Sequence, residues 1–287
     1  MKKSIRFIIN PISGIGKKEI LPDLIQKELN QSLFSYDIIY TEYRGHAREL
    51  SKKFAEEKID VVCIVGGDGS VNEVASSLVH TNTVLAILPM GSGNGIARHL
   101  GIPLKLKNAI HRLNEFQIIR MDTFKLNEKF SIGVSGFGFD ALVAKKFDEY
   151  HKRGLFNYAK MVLKAWRGYK GVSVILNQKE YNNLLFCCIA NTSQFGNNFY
   201  VSPQSDVKDE MIEVVIVKLI NTLQLLILIT SSILKKVHLS KFVEIIRVKK
   251  AELNIKNAIA HIDGDPVVFD NDTIHVLCIP KSLSVIV

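Results

Sequence analysis

Four times in its first 90 residues the chain repeats one pattern: a short β-rich apolar run, a turn-forming loop, then a helical segment. The runs are residues 5–9, 37–40, 60–65 and 84–88. Strands separated by helices cannot be neighbours in tight hairpins. They pair in parallel, with the helices covering the sheet. In an open parallel sheet the carboxyl ends of the strands form the ligand crevice. Loops 10–16, 66–73 and 89–94 each follow a strand and precede a helix, so all three are expected at that edge. They are rich in glycine, which lets a backbone approach a phosphate closely, and amides at helix starts bind anions. Ser70 is expected to cap the helix that follows the second loop.

The rhythm changes near residue 120. Short β-rich runs then dominate, at 130–134, 172–176, 184–190, 212–217, 243–248, 251–255 and 273–279. A length of 287 residues suggests about two domains. The expected division is an α/β domain over 1–122 and a largely antiparallel β domain over 123–287. With 47% hydrophobic and 23% charged residues, the chain can build ordinary cores.

Standard nucleotide signatures are missing. Gly16-Lys17 is followed by Lys18, with no upstream glycine of a P-loop, and no G-x-G-x-x-G follows the first strand. Asp68 stands out within Gly66-Gly67-Asp68-Gly69. A carboxylate there would repel a phosphate unless a cation intervened. It suits a Mg²⁺-linked ligand, a base beside an acceptor hydroxyl, or an Asx residue capping its own helix.

The segments Asn10-Pro11-Ile12-Ser13-Gly14, Gly66-Gly67-Asp68-Gly69-Ser70-Val71-Asn72-Glu73 and Pro89-Met90-Gly91-Ser92-Gly93-Asn94 together resemble the diacylglycerol kinase catalytic-domain family, which includes bacterial lipid kinases and sphingosine kinases. The resemblance continues through Asn191, Gly196, Ser202-Pro203, Asp209, Ile212-Glu213 and His261-Ile262-Asp263-Gly264-Asp265. It implies an N-terminal domain like that of NAD kinases and phosphofructokinases, with a C-terminal β-sandwich. It implies ATP as phosphoryl donor, Mg²⁺, and a lipid hydroxyl as acceptor. By motif, Asn10, Pro11, Ile12, Ser13, Gly14, Thr41, Gly67, Asp68, Gly69, Ser70, Val71, Asn72, Glu73 and Ser92 would line the nucleotide. Asp209 would hold magnesium beside backbone oxygens of Asp206 and Met211. Asp265 would be the proton acceptor, with Asp68 in reserve. Three positions depart from the family pattern. Asp265 stands where glutamate is common, Glu210 where glycine usually follows the metal aspartate, and Gly95 where many bacterial members have aspartate.

The formal charge of +9 favours anionic partners. Between residues 145 and 170, eight Lys or Arg side chains alternate with aromatic ones, which suits an anionic membrane surface. Residues 219–234 form the longest apolar stretch, read first as a buried helix and second as a membrane contact. Nucleic acid is not expected, since no recognition motif accompanies the basic segment. The four cysteines are expected as core thiols, and the eight histidines form no metal pattern, His261 reading as packing or surface. No secretion signal is evident, so the expected setting is cytoplasmic with peripheral membrane association. A homodimer is left open. Two other readings stand beside the lipid kinase: a soluble-substrate kinase of the NAD kinase kind, and a lipid- or nucleotide-binding regulator without catalysis.

Overall fold

The structure, a computed structural model, describes residues 2–11, 18–149, 162, 165–166, 168–256 and 259–287. The chain divides into two compact units, Met1–Asp122 with Pro280–Val287, and Thr123–Ile279. The last eight residues thus correct the expected second domain, which was drawn to the C-terminus. The physical reason is pairing: Val285 lies parallel to Leu85 at the edge of the first sheet. Lys281 N–H also donates to buried Asp122 Oδ1 at 2.7 Å.

In the first unit, β1 (Lys3–Ile9), β2 (Phe34–Tyr40), β3 (Val61–Gly66) and β4 (Val84–Pro89) pair in parallel in the order β2-β1-β3-β4. Every residue of β3 and β4 is buried, as expected for central parallel strands covered on both faces. The helices are α1 (Leu21–Glu28), α2 (His46–Glu56), α3 (Asp68–Leu78), α4 (Gly95–His99) and α5 (Leu106–Glu115). Because β1 lies between β2 and β3, the connections leave it in opposite directions. The gap between β1 and β3 is therefore the topological switch point, where ligands of open α/β sheets bind.

The second unit is a β-sandwich, entered along β5 (Ile118–Leu126). Its elements continue as β6 (Lys129–Ser131), β7 (Val134–Gly138), α6 (Phe139–Glu149), β8 (Val172–Leu176), β9 (Lys179–Ala190), β10 (Gln194–Gly196), β11 (Phe199–Tyr200) and β12 (Ile212–Lys218). Then come α7 (Thr222–Ile233), β13 (Val243–Val248), β14 (Lys250–Asn254), β15 (Ala260–Ile262), β16 (Asp265–Val267) and β17 (Thr273–Ile286), whose residues from Pro280 on belong to the first unit. Strand alternation builds two cores. Ile212, Val214 and Ile216 of β12 join Cys187 and Ile189 in one, while Val215 and Val217 join Cys188 and Ala190 in the other. All four cysteines are buried and none is in a disulfide, and burial pushes the Cys187 thiol up to about 12.

Two expectations are corrected here. The run read as one strand at 130–134 is interrupted, because the N–H groups of Ile132 and Gly133 donate to Asp263 at 3.0 and 2.9 Å instead of to a ladder. The apolar stretch at 219–234 forms α7, but only Leu228 and Ser232 of that helix are buried.

The loops after β3 and β4 meet backbone to backbone. A Cβ added to Gly91 would lie 2.4 Å from Gly67 Cα and 2.8 Å from Asn94 Oδ1. Gly91→Ala should therefore destabilise the first unit by about 1–3 kcal/mol, the usual cost of forced overpacking. Urea denaturation checks this, and an unchanged midpoint would show that the two loops can separate freely.

Candidate functional site

At the switch point Asn10 follows β1, and its Nδ2 donates to Ser70 Oγ at 3.0 Å. That bond fastens the first loop to the first turn of α3. It also corrects the expected cap: the N-cap of α3 is Gly67, with extended backbone and no side-chain bond, and the Ser70 hydroxyl is turned to Asn10. Ile12, Ser13 and Gly14 lie outside the described residues, and Pro11 is exposed.

Asp68 spans two loops. Its Oδ2 accepts from Gly95 N–H at 3.0 Å and its Oδ1 from Ile96 N–H at 3.1 Å. A carboxylate on the first amides of a helix stabilises its positive end. Asp68 thus caps α4, 27 residues away. Asn94 closes the same turn from the other side. It sits at φ +52°, in the left-handed region that asparagine tolerates, exchanging 2.8 Å bonds with Gly91 N–H and Gly91 O. With glycine at 67 and 91, this wall carries backbone where other residues would carry side chains.

Glu73 reaches the next loop. Its Oε1 accepts from Gly45 N–H at 3.1 Å, where Gly45 has φ +91° at the start of α2. Buried Thr41 continues from β2, its N–H donating to Ile9 O at 2.9 Å. Asn72 and Val71 are buried within α3, and Ser92 is exposed on its loop. The expected nucleotide residues that are described therefore gather at the carboxyl edge of one sheet. Arg98 Nε donates to Gly93 O at 3.0 Å, which ties α4 to the third loop.

In the second unit, Asp263 and Gly264 form the two-residue turn of the β15–β16 hairpin, at φ +48° and +92°. Positive φ at both positions is what a type I′ turn requires, and Asp-Gly is a strong signal for it. Asp263 is an anchor: its carboxylate accepts from Ser131 Oγ at 2.7 Å besides the two backbone amides. His261 is a second anchor. Its Nδ1 accepts from Gly264 N–H at 3.1 Å, which leaves Nε2–H to donate to Asp140 Oδ2 at 3.2 Å. Both side chains of that pair are buried. Asp265, partly exposed, is the first residue after this doubly held turn. The His261–Asp140 pair escaped the sequence reading, because its members are 121 residues apart.

Asp206, Asp209 and Met211 share one turn, but a cation already belongs to it. Asp209 Oδ1 accepts from Met211 N–H at 3.0 Å, and its Oδ2 pairs with Arg247. Arg247 Nε also lies 3.5 Å from Glu213 Oε1, and the Oε2 of that buried glutamate accepts from Ser205 Oγ at 2.7 Å. The Asp206 carbonyl accepts from Asp209 N–H at 3.4 Å. Oxygen donors of this kind suit Mg²⁺, but a guanidinium on Asp209 competes with a resident ion, and among the described residues no three Asp, Glu, His or Cys side chains converge. These residues do not fit a bound Mg²⁺ as they stand. Glu210 takes φ +62° in this turn, so the chain keeps the backbone bend that glycine would favour.

Burial pushes the Glu213 carboxyl above its ordinary value of 4.5, and Asp209 adds to the shift, against Ser205 and Arg247. A carboxyl whose folded pKa is raised contributes stability at acid pH and loses it as pH rises through that pKa. Glu213→Gln should thus gain on wild type between about pH 4 and about pH 7. Urea midpoints at both pH values check the sign, and the reverse trend would mean that Arg247 outweighs burial. Arg247→Met should lower stability by about 1–3 kcal/mol by stripping charged hydrogen bonds. Millimolar Mg²⁺ or EDTA should leave the wild-type Tm unmoved.

These features can be set beside known proteins. The model of the diacylglycerol kinase catalytic domain matches residues 4–126, and that of the YegS C-terminal NAD kinase beta sandwich-like domain matches residues 133–287. A diacylglycerol kinase of Staphylococcus saprophyticus is 33% identical over 141 residues, covering 48% of this chain and 46% of that protein. The match thus spans about half the length of that relative. A Chromohalobacter salexigens protein named "Probable lipid kinase YegS-like" is 27% identical over 237 residues, 79% of this chain and 76% of its own. Two solved structures share the fold. A diacylglycerol kinase from Bacillus anthracis has a TM-score of 0.70 at 17% identity, covering 99% of this chain and 96% of its own. An NAD kinase from Archaeoglobus fulgidus in complex with ATP has a TM-score of 0.52 at 12% identity, covering 99% and 93%. With both family models matched in order along it, the chain belongs to the diacylglycerol kinase catalytic-domain family and carries the YegS-type β-sandwich as its second domain.

Proposed function

We propose that this protein is an ATP-dependent lipid kinase that phosphorylates a hydroxyl of diacylglycerol or a similar lipid. The supporting observation is the switch point of the first sheet. There the Asn10–Ser70 bond, the glycine pair and the N-terminus of α3 make a wall of backbone suited to phosphates. The donor is MgATP, with magnesium entering as part of the substrate. The hydroxyl oxygen forms a new bond to the γ-phosphorus, the bond from phosphorus to the β-phosphate oxygen breaks, and ADP leaves. The hydroxyl proton passes to a carboxylate. Phosphoryl transfer asks little more of a protein than position and charge.

Asp265 is the better proton acceptor of the two candidates. Both oxygens of Asp68 are committed to the amides of α4, which makes it a positioning residue for the loops. Asp265 follows a turn fixed by His261 and Asp263.

The test is transfer of labelled γ-phosphate from ATP to diacylglycerol, phosphatidylglycerol, ceramide and sphingosine in mixed micelles, with NAD as a soluble acceptor. Asp265→Asn should lower kcat by about 10²–10⁴-fold, the usual range for a lost acid–base group, with little change in the KM for ATP. Asn10→Ala should act the other way, raising that KM more than it lowers kcat. Label on NAD alone would assign the protein to the soluble-substrate reading. ATP binding without label on any acceptor would favour a regulator.

A further inference from the structure

The helix α7 turns the wrong residues outward for a protein that meets only water. Its buried face consists of Leu228 and Ser232, and the Ser232 hydroxyl donates to Tyr200 O at 2.6 Å. Its outward stripe is Leu223, Leu226, Ile227, Thr230 and Ile233, continuing to Leu234 past the helix end. The spacing of three and four marks one face of a helix, and that face normally carries polar residues. Here only Thr230 does. Leu223 is 69% exposed, Leu226 58%, Ile227 56%, Ile233 55% and Leu234 60%. Leu239, just beyond, is 71% exposed. Aliphatic side chains grouped this closely mark an interaction surface.

The helix is firmly built, so the exposure is not that of a frayed end. Asn221 Oδ1 accepts from Gln224 N–H, and Gln224 Oε1 accepts from Asn221 N–H, each at 3.0 Å, a complete capping box. It has 12 residues, so it extends only about 18 Å and cannot span a bilayer core of about 30 Å. Among the described residues no helix is long and apolar enough to cross a membrane. A helix of this size with one unpartnered apolar face can lie in the lipid interface.

Charge selects the occupant. From Val214 to Val243 the sequence contains no Asp or Glu, while it holds Lys218, Lys235, Lys236 and Lys241. The last three follow the apolar stripe at the helix's C-terminal end, and all are exposed. Aliphatic residues bounded by lysines match acyl chains bounded by anionic headgroups. We infer that α7 is the docking surface of this protein for an anionic bilayer, inserting Leu223, Leu226, Ile227 and Ile233 below the headgroups while Lys235, Lys236 and Lys241 face the lipid phosphates. The inference deepens the lipid-kinase reading and rests on it for its purpose, since a diacyl acceptor resides in a bilayer.

Two measurements on the full chain test it. The first is co-sedimentation with phosphatidylcholine vesicles containing 0 or about 30% phosphatidylglycerol, a common anionic mixture for detecting lysine-dependent attraction. Wild type should bind the anionic vesicles, and Leu226→Glu with Ile227→Glu should weaken that binding by about tenfold or more. Lys235→Gln with Lys236→Gln should weaken it only on phosphatidylglycerol, and salt should erase the difference. The second measurement is phosphorylation of a dispersed short-chain diacylglycerol, which needs no docking and should be unchanged in all variants. Equal vesicle binding by wild type and the Leu226/Ile227 variant would overturn the inference. So would a wild-type dimer that this variant splits while neither form binds vesicles, since the occupant would then be a second copy. Loss of vesicle binding in the variant, with no lipid phosphorylated by any form, would sustain the docking surface and overturn the kinase reading. The reverse pattern, phosphorylation of the dispersed lipid without vesicle binding by wild type, would do the opposite.

Discussion

A single carboxylate holds the carboxyl edge of the first sheet together. Asp68 belongs to the loop after β3, yet it bonds the first two amides of the helix that follows β4. The contact brings negative charge to a helix start, where it is favourable. It also forces the two loops into the backbone contact that only glycine at 67 and 91 permits. Asn94 then closes its turn onto Gly91, and Asn10 ties the loop after β1 to Ser70 in the same helix as Asp68. The GGDG segment is therefore also the keystone on which three loops converge. That is why a residue with an acid's chemistry serves here as structure.

The second unit uses the same device. Asp263 is buried and accepts one hydroxyl and two backbone N–H groups, which together can stabilise its charge as water would. Its left-handed backbone at the same time starts the hairpin turn that carries Asp265. His261 closes the turn from the other end and leans on Asp140. His261 and Asp263 are thus both committed to the geometry of this motif. In the turn before β12 the commitment is to a guanidinium. Arg247 gives Asp209 and buried Glu213 a covalently attached counter-ion, which exchange or chelation cannot remove.

How much of this was legible follows from the range of each interaction. Strands β3 and β4 could be read directly, because central strands buried on both faces are continuous apolar runs; the edge strand β2, only partly buried, was read from residue 37 and in fact starts at Phe34. The loops at their ends were legible for the same reason, through glycine and asparagine at fixed offsets. Asp68 was legible as a residue of interest but not as the cap of α4, since a bond over 27 positions leaves no local pattern. The broken strand at 132–133 was hidden likewise. Its cause, Asp263, lies about 130 residues on. The strands at 118–126, 260–262 and 265–267 escaped because they are short or interrupted by charge, and the Asp-Gly turn between the last two is the signal that could have found them. The return of residues 280–287 to the first unit rests on a strand pairing that alternation alone does not specify.

The apolar helix at 222–233 shows a different limit. Periodicity measures where side chains point relative to one another, not whether anything covers them. A helix apolar on every face reads the same whether it is buried in protein or laid on lipid. What separates the two cases is the flanking charge. A core helix needs no particular charge around it, and its neighbours in sequence carry both signs. Here acidic residues are absent for 30 positions while lysines persist, from Val214 to Val243. Such a bias does nothing for packing in the sandwich, where Leu228 and Val237 join an apolar cluster. It does bear on solubility, since lysines beside exposed leucines repel other copies of the same chain while attracting an anionic surface. The same pattern therefore works against self-association, and it is the reason the proposed docking is to a bilayer instead of to a second copy.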